Sequence, residues 1–165
     1  MKVDITDILR VNGSSVRLDF EERTPESEPV EGYTIDGPSS FDGTLTNING
    51  MLQLDGRLKI AYRTACYRCL KPIEGRLDIR IRETFVNDGQ KAGEIDAYVF
   101  EGKLLDTDKA FEDNIILNLP MKQVCTGDCK GLCPKCGVNL NEASCNCGED
   151  FINPQMEALN KFFNN

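Results

Sequence analysis

Histidine and tryptophan are both absent from this 165-residue chain, and aromatic residues make up only 7% of it. Without an imidazole there is no Cys-His or Ser-His dyad, no His-x-x-Glu-type zinc hydrolase and no zinc finger with mixed ligands, because each needs a nitrogen base or ligand that is missing. Any metal chemistry here is thiolate chemistry. No apolar run approaches the roughly 18 residues needed to span a bilayer, and Met1–Arg10 carries regularly spaced charges where a signal peptide would be apolar. The chain is therefore expected in the cytoplasm, without a membrane partner. Enough apolar material is present, 40%, for a packed core in one domain carrying a small appendage.

Acidic residues dominate, with a net charge of -8, but unevenly. Residues 57–82 hold Arg57, Lys59, Arg63, Arg68, Lys71, Arg76, Arg80 and Arg82 against Glu74 and Asp78, a local excess of +6, while the remainder of the chain sums to -14. Arg57, Lys59 and Arg63 share one face of a regular strand, and Arg76, Arg80 and Arg82 share one face of the next. A solvated outer face accounts for such a run. So does a compact positive patch that meets phosphate, and these arginines and Lys59, with Arg68, are the candidate nucleic-acid contacts.

The hydrophobic pattern is that of an α+β fold built mainly on an antiparallel β meander or barrel-like sheet. Val16, Leu18 and Phe20 alternate with polar residues, Thr24–Val30 reads as an acidic connection, and strands are expected over Tyr33–Asp36, Phe41–Ile48, Met51–Leu54, Leu58–Thr64, Leu77–Phe85 and Ala97–Phe100. Gly43, Gly50, Gly56 and Gly75 read as turn punctuation. Asp106-Thr107-Asp108 supplies caps for a covering helix that ends near Leu119 before Pro120, and Asn153-Pro154 opens a C-terminal helix with Met156, Leu159 and Phe163 on one stripe. The expected division is a sheet domain with one covering helix over 1–122 and a Cys-rich metal-binding segment with the C-terminal helix over 123–165.

Eight cysteines in a reducing compartment point to metal ligands or redox thiols before disulfides. Cys66-x2-Cys69 lies at a turn between two expected strands; Cys125, Cys129, Cys133, Cys136, Cys145 and Cys147 crowd into 23 residues poor in apolar side chains. The Cys133-Pro-Lys-Cys136-Gly segment is a zinc-knuckle signature: two sulfurs reach one ion while backbone N–H groups donate to them and glycine relieves the turn. Cys145 and Cys147 are within loop reach and complete the preferred quartet. Cys125 and Cys129 have two options, to pair with Cys133 and Cys136 or to form a second site with Cys66 and Cys69, and the spacing alone allows either. Zinc suits a closed all-thiolate site better than iron, so one zinc ion or two are expected. Each such site contributes on the order of 10 kcal/mol to folding.

Cys66-Tyr67-Arg68-Cys69-Leu70, the run Leu117-Asn118-Leu119-Pro120-Met121, and Cys129-Lys130-Gly131-Leu132-Cys133-Pro134-Lys135-Cys136-Gly137-Val138-Asn139-Leu140-Asn141 followed by Cys145-x-Cys147 resemble the bacterial and plastid YceD-type family, the large ribosomal RNA subunit accumulation proteins. The resemblance implies a non-enzymatic protein required for accumulation of large-subunit (23S-type) ribosomal RNA. Where such proteins tend to start their last helix with Asp-Pro-Arg, this chain has Asn153-Pro154-Gln155.

Three functions follow for comparison. A ribosome-assembly factor would bind precursor ribosomal RNA or an early large-subunit intermediate through the basic segment and the Cys-rich region. An adaptor or chaperone would engage a basic ribosomal protein through the acidic stretches 19–31 and 94–113. A thiol redox switch would use cysteines near Arg68 and Lys135. No glycine-rich phosphate loop and no clustered acid–base pair speaks for catalysis or a small-molecule substrate.

Overall fold

The computed structural model describes residues 2–23, 27–87 and 96–147. Three long strands form its centre: β4 (Tyr33–Ile48), β5 (Met51–Ala65) and β6 (Pro72–Asn87), flanked by β2 (Ser15–Arg23) and the short β7 (Tyr98–Phe100). The order is β2-β4-β5-β6-β7, antiparallel except for the parallel β6–β7 pair, and β3 (Ser27–Val30) folds back onto β4. A second, two-stranded sheet pairs β1 (Lys2–Asp4) with β8 (Leu104–Asp106). The main sheet is open, since its end strands do not pair.

One face of the sheet is apolar because β4, β5 and β6 alternate with period 2. Leu45, Leu52, Leu54, Ile81 and Phe85 are all but fully buried on it. Two helices cap this face: α1 (Thr6–Arg10) through Ile8, and α2 (Asp108–Asn118) through Phe111, whose ring lies 5.0 Å from that of Phe41. The helix expected to end near Leu119 is therefore found, and it covers the sheet.

Several local expectations are corrected. Gly43, Gly56 and Gly75 are not turns but lie within β4, β5 and β6. Gly43 and Gly56 face each other across β4 and β5, and a Cβ on either would meet the Phe41 ring at 2.5 Å; they are glycine to admit that ring. Gly75 plays the same part beneath Tyr62. With Gly56 inside a strand, the two expected strands over 51–64 are one, and the two over 33–48 are also one, bent by a register shift between Ile35 and Ser39. Gly50 is a turn, paired with Asn49 at φ values of 86° and 55°, the two-residue geometry that suits a twisted hairpin. Of the expected acidic connection, Ser27–Val30 is strand, because β4 offers it a free edge; residues 24–26, like the expected helix from Asn153, lie outside the described residues.

Candidate metal centres and the basic face

The β5–β6 hairpin ends in the turn Cys66-Tyr67-Arg68-Cys69, and the chain returns to it after α2. Two tyrosines bring it back. Tyr33 and Tyr62, their rings 5.7 Å apart, donate their hydroxyls to the Pro120 carbonyl and, at 2.8 Å, to Gln123 Oε1. The Gln123 carbonyl then accepts from Tyr67 N at 2.8 Å, which sets Cys125 beside the turn. Further along, Arg68 Nη1 donates to the Cys129 carbonyl at 2.9 Å, and Leu132 N donates to the Arg68 carbonyl at 3.0 Å. Gly131 sits in this seam at φ 77°, where a Cβ would lie 3.0 Å from the Arg68 carbonyl oxygen.

Four sulfurs converge as a result. Cys66, Cys69, Cys125 and Cys129 place all their Sγ atoms within 4.8 Å of one another, with 3.8 Å between Cys66 and Cys129 and 3.6 Å between Cys69 and Cys125. A tetrahedron with zinc–sulfur arms of about 2.3 Å has edges of about 3.8 Å. N–H groups of Cys125 and the Asn141 side chain point at the sulfurs of Cys66 and Cys129, each at 3.4 Å, as outer donors to thiolates should. Cys66, Cys69 and Cys129 are buried, packed with Ile73 and Leu132. The turn demands strain elsewhere: Leu70 holds φ 60°, a left-handed conformation that costs a non-glycine residue roughly 1–2 kcal/mol.

A second group, Cys133, Cys136, Cys145 and Cys147, meets the same 4.8 Å limit. Here the closure is local. Cys133 N donates to the Val138 carbonyl and Gly137 N to the Cys133 carbonyl, both at 2.8 Å, with Gly137 at φ 74°; Lys135 Nζ reaches the Cys147 carbonyl at 2.7 Å. Cys136 is exposed and only Cys133 is buried. Of the pairings that the spacing left open, the structure gathers Cys125 and Cys129 with Cys66 and Cys69, not with Cys133 and Cys136.

The electrostatics of both groups favour a cation. Burial opposes ionisation of Cys66, but N–H donors from Cys69, Cys125 and Arg68 outweigh it and bring the thiol down to about 6. At Cys69 the Lys71 N–H favours the thiolate, yet burial and the neighbouring sulfurs prevail and push it up to about 12. Cys133 is brought down to about 6 by the N–H groups of Cys136 and Lys135, whereas the sulfurs of Cys136 and Cys145 push Cys147 up to about 12. Burial opposes ionisation of Cys129 as well, but donation from the Asn141 amide and the Gly131 N–H outweighs it and holds this thiol below the usual value, so in each group some thiolates form readily and further ionisation is resisted. A divalent ion at the centre removes that conflict, so both donor sets are compatible with a tetrahedral thiophilic metal such as zinc.

The basic residues do share a face, but not as bare charge. Arg57, Lys59 and Arg63 on β5 and Arg76, Arg80 and Arg82 on β6 project from the side opposite the core, where β2, β4 and the strands themselves interleave acids. Arg57 pairs with Asp78 at 3.3 Å, Arg80 and Arg82 with Asp55 at 3.3 and 3.1 Å, and Arg17 with Asp42 at 2.5 Å. Arg80 first and Arg82 second hold the Asp55 carboxyl below the usual carboxylate value. Arg68 serves the cysteine seam. Among the described residues, the side chains of Lys59 and Arg76 have no ion pair or hydrogen bond, and they border an open depression of about 920 Å³ together with the acids Glu21 and Asp78 and with Gly37 and Ala61.

The family described as "Large ribosomal RNA subunit accumulation protein YceD" matches residues 54–163, a span that starts within β5 and contains all eight cysteines. The chain belongs to the YceD family. It is similar to an uncharacterized protein of Mycobacterium tuberculosis, 30% identical over 146 residues that cover 85% of this chain and 70% of the relative. It is also similar to the chloroplastic large ribosomal RNA subunit accumulation protein YCED homolog 1 of Arabidopsis thaliana, 27% identical over 175 residues covering 88% of this chain and 53% of that protein. The homologue of the same name in Zea mays is 29% identical over 135 residues, 62% of this chain and 46% of the relative. No solved structure matches the chain significantly. The YceD description names an RNA whose accumulation is served and no reaction, and among the described residues no helix is long and apolar enough to cross a membrane.

Sequence reasoning missed the parts that close the first cysteine group over distance: Tyr33, Tyr62, Gln123, Gly131 and the Asn141 amide. Their partners lie 87, 61 and 12 residues away for Tyr33, Tyr62 and Asn141, and no local pattern announces them.

Proposed function

We propose that this protein is a non-enzymatic assembly factor for the large ribosomal subunit that binds precursor 23S-type ribosomal RNA, or an early intermediate containing it, and that each cysteine quartet holds a structural zinc ion. The observation that carries the reading is the convergence of all eight cysteines into two groups of four, the sulfurs of each within 4.8 Å of one another, inside the span shared with the family of large-subunit RNA accumulation proteins. Zinc is favoured because both donor sets are all thiolate, closed and free of any open ligand position for chemistry. RNA is favoured over a basic ribosomal protein because the family description names an RNA, for which the Lys59 and Arg76 side chains, without an ion pair among the described residues, offer phosphate contacts.

The test has two arms. Elemental mass spectrometry on protein purified without added metal should find about two zinc ions per chain, one for each closed tetrahedral site. In cells lacking the gene, mature 23S-type RNA should fall relative to the small-subunit RNA and be restored by the wild type but not by a Lys59→Glu, Arg76→Glu variant with unchanged zinc content. Full restoration by that variant would remove the outer face from the mechanism, and an unchanged RNA ratio in the deletion would remove the assembly role.

A further inference from the structure

The hairpin tip that carries the first quartet is built against the usual preferences of a surface turn. Tyr67 is 65% exposed and Leu70 64%, at corners of one tight turn, although the turn needs neither side chain for packing. Leu70 even occupies the left-handed conformation in which glycine or asparagine is favoured. Met121, after α2 and next in the chain to the Lys122 that stands over the Tyr67 ring, is 97% exposed. Large apolar side chains retained in such positions mark a contact surface.

Its surroundings indicate the class of partner. Segments 66–73 and 121–136, which meet at this tip, contain Arg68, Lys71, Lys122, Lys130 and Lys135 against Asp128, with Glu142 added where it lines a depression beside Lys71, in a chain whose net charge is -8. Lys122 Nζ stands 4.8 Å from the centre of the Tyr67 ring, and the Lys71 ammonium has no partner among the described residues. The other tyrosines are unavailable for contact: Tyr33 and Tyr62 are buried, and Tyr98 is half-buried and bonded to Asp113. An exposed aromatic ring among cations, with a rigid backbone behind it, is the arrangement by which proteins stack an unpaired base and hold the phosphates beside it. An acidic peptide would meet the charge but has no use for a flat ring; duplex RNA would meet the charge but keeps its bases stacked within.

We propose that Tyr67 is a stacking platform for an unpaired nucleotide of RNA, with Lys71 and Lys122 neutralising the adjacent phosphates. This rests on the RNA-binding reading above and names its contact: a single-stranded segment, bound at the metal-held tip of the hairpin, roughly 13 Å along the strands from Arg76 and roughly 20 Å from Lys59. The first quartet then has a second consequence beyond tying the chain together, since it holds the ring outward.

The chain itself supplies the spectroscopic handle. It has no tryptophan to mask tyrosine emission, and Tyr67 is the exposed one of its four tyrosines. Titration of the zinc-loaded full chain with a single-stranded oligoadenylate at low salt should quench tyrosine emission. By anisotropy of the labelled oligonucleotide, Tyr67→Leu should bind about 10-fold more weakly or worse, while Tyr67→Phe keeps most of the affinity. A Lys71→Gln, Lys122→Gln variant should keep its zinc and lower the slope of log affinity against log salt by about 0.7 for each phosphate that is no longer neutralised. Oligoadenylate binding by the wild type without quenching, and equally by Tyr67→Leu, overturns the platform and leaves the RNA reading standing. Loss of zinc from the double lysine variant with unchanged RNA affinity also overturns it, making these lysines counter-charges to the thiolates. Absence of any oligoadenylate binding by the wild type overturns both readings at once.

Discussion

The two cysteine quartets have the same donors and opposite architectures. Cys133, Cys136, Cys145 and Cys147 close a knuckle upon itself within 15 residues, with one sulfur exposed. Cys66, Cys69, Cys125 and Cys129 join the far end of a hairpin to a segment 56 residues later, and three of the four are buried. A cross-link across a long loop removes more freedom from the unfolded chain than a local one. With zinc bound as proposed, the first quartet would therefore act as a clamp between two regions and the second as an organiser of one. The same metal chemistry would then perform different mechanical work because the loop it closes differs.

The largest effect expected from that contrast comes from Cys66→Ser with Cys69→Ser. This variant should lose about one zinc ion, corresponding to the one tetrahedral site removed, and make residues 123–147 sensitive to protease while lowering the thermal midpoint of the whole chain. The counterpart, Cys133→Ser with Cys136→Ser, should also lose one zinc ion but leave the melting of the sheet within error of the wild type. Equal drops in midpoint for both variants would erase the distinction.

A smaller effect tests the seam between clamp and knuckle. Gly131→Ala puts a side chain on a left-handed residue against the Arg68 carbonyl and should cost about 1–2 kcal/mol in chemical denaturation, with faster zinc loss to a chelator from the first quartet than from the second. Leu70→Gly relieves the same kind of strain and should stabilise the chain by about 1 kcal/mol. Tyr62→Phe removes one hydrogen bond that guides the returning chain, a loss of about 1 kcal/mol. The smallest effect lies on the outer face, away from both quartets. Because Arg80 and Arg82 depress the folded Asp55 pKa, its contribution is present above the ordinary carboxylate value of 3.8 and is lost as the pH falls through the lower folded value. Asp55→Asn should thus flatten the acid limb of a pH–stability curve slightly and leave neutral pH almost untouched.

These contrasts also explain what could be read from the amino-acid order. The knuckle was legible because its ligands are neighbours and their spacing is itself the geometry; the alternation of Leu58, Ile60 and Tyr62 against Leu77, Ile79 and Ile81 was legible because period 2 is local. The partner of Cys125 and Cys129 was not, since it depends on two tyrosine hydroxyls catching a distant segment. Gly43 and Gly56 misled because a glycine that opens a turn and a glycine that makes room for Phe41 are the same letter. The basic segment overstated its charge for a related reason: Asp42 and Asp55, which neutralise Arg17, Arg80 and Arg82, lie outside residues 57–82.

The long loop of the clamp also has a meaning for birth on the ribosome. Cys66 and Cys69 leave the exit tunnel well before Cys125, and at about 5–20 residues per second the intervening 56 residues take roughly 3–11 s to make. During that interval the hairpin presents two vicinal thiols with half a coordination shell. If the quartets hold zinc as proposed, the nascent protein would either carry a loosely held ion or wait for one, and its final shape would be decided late, by the last quarter of the polypeptide and by the metal available when that quarter emerges.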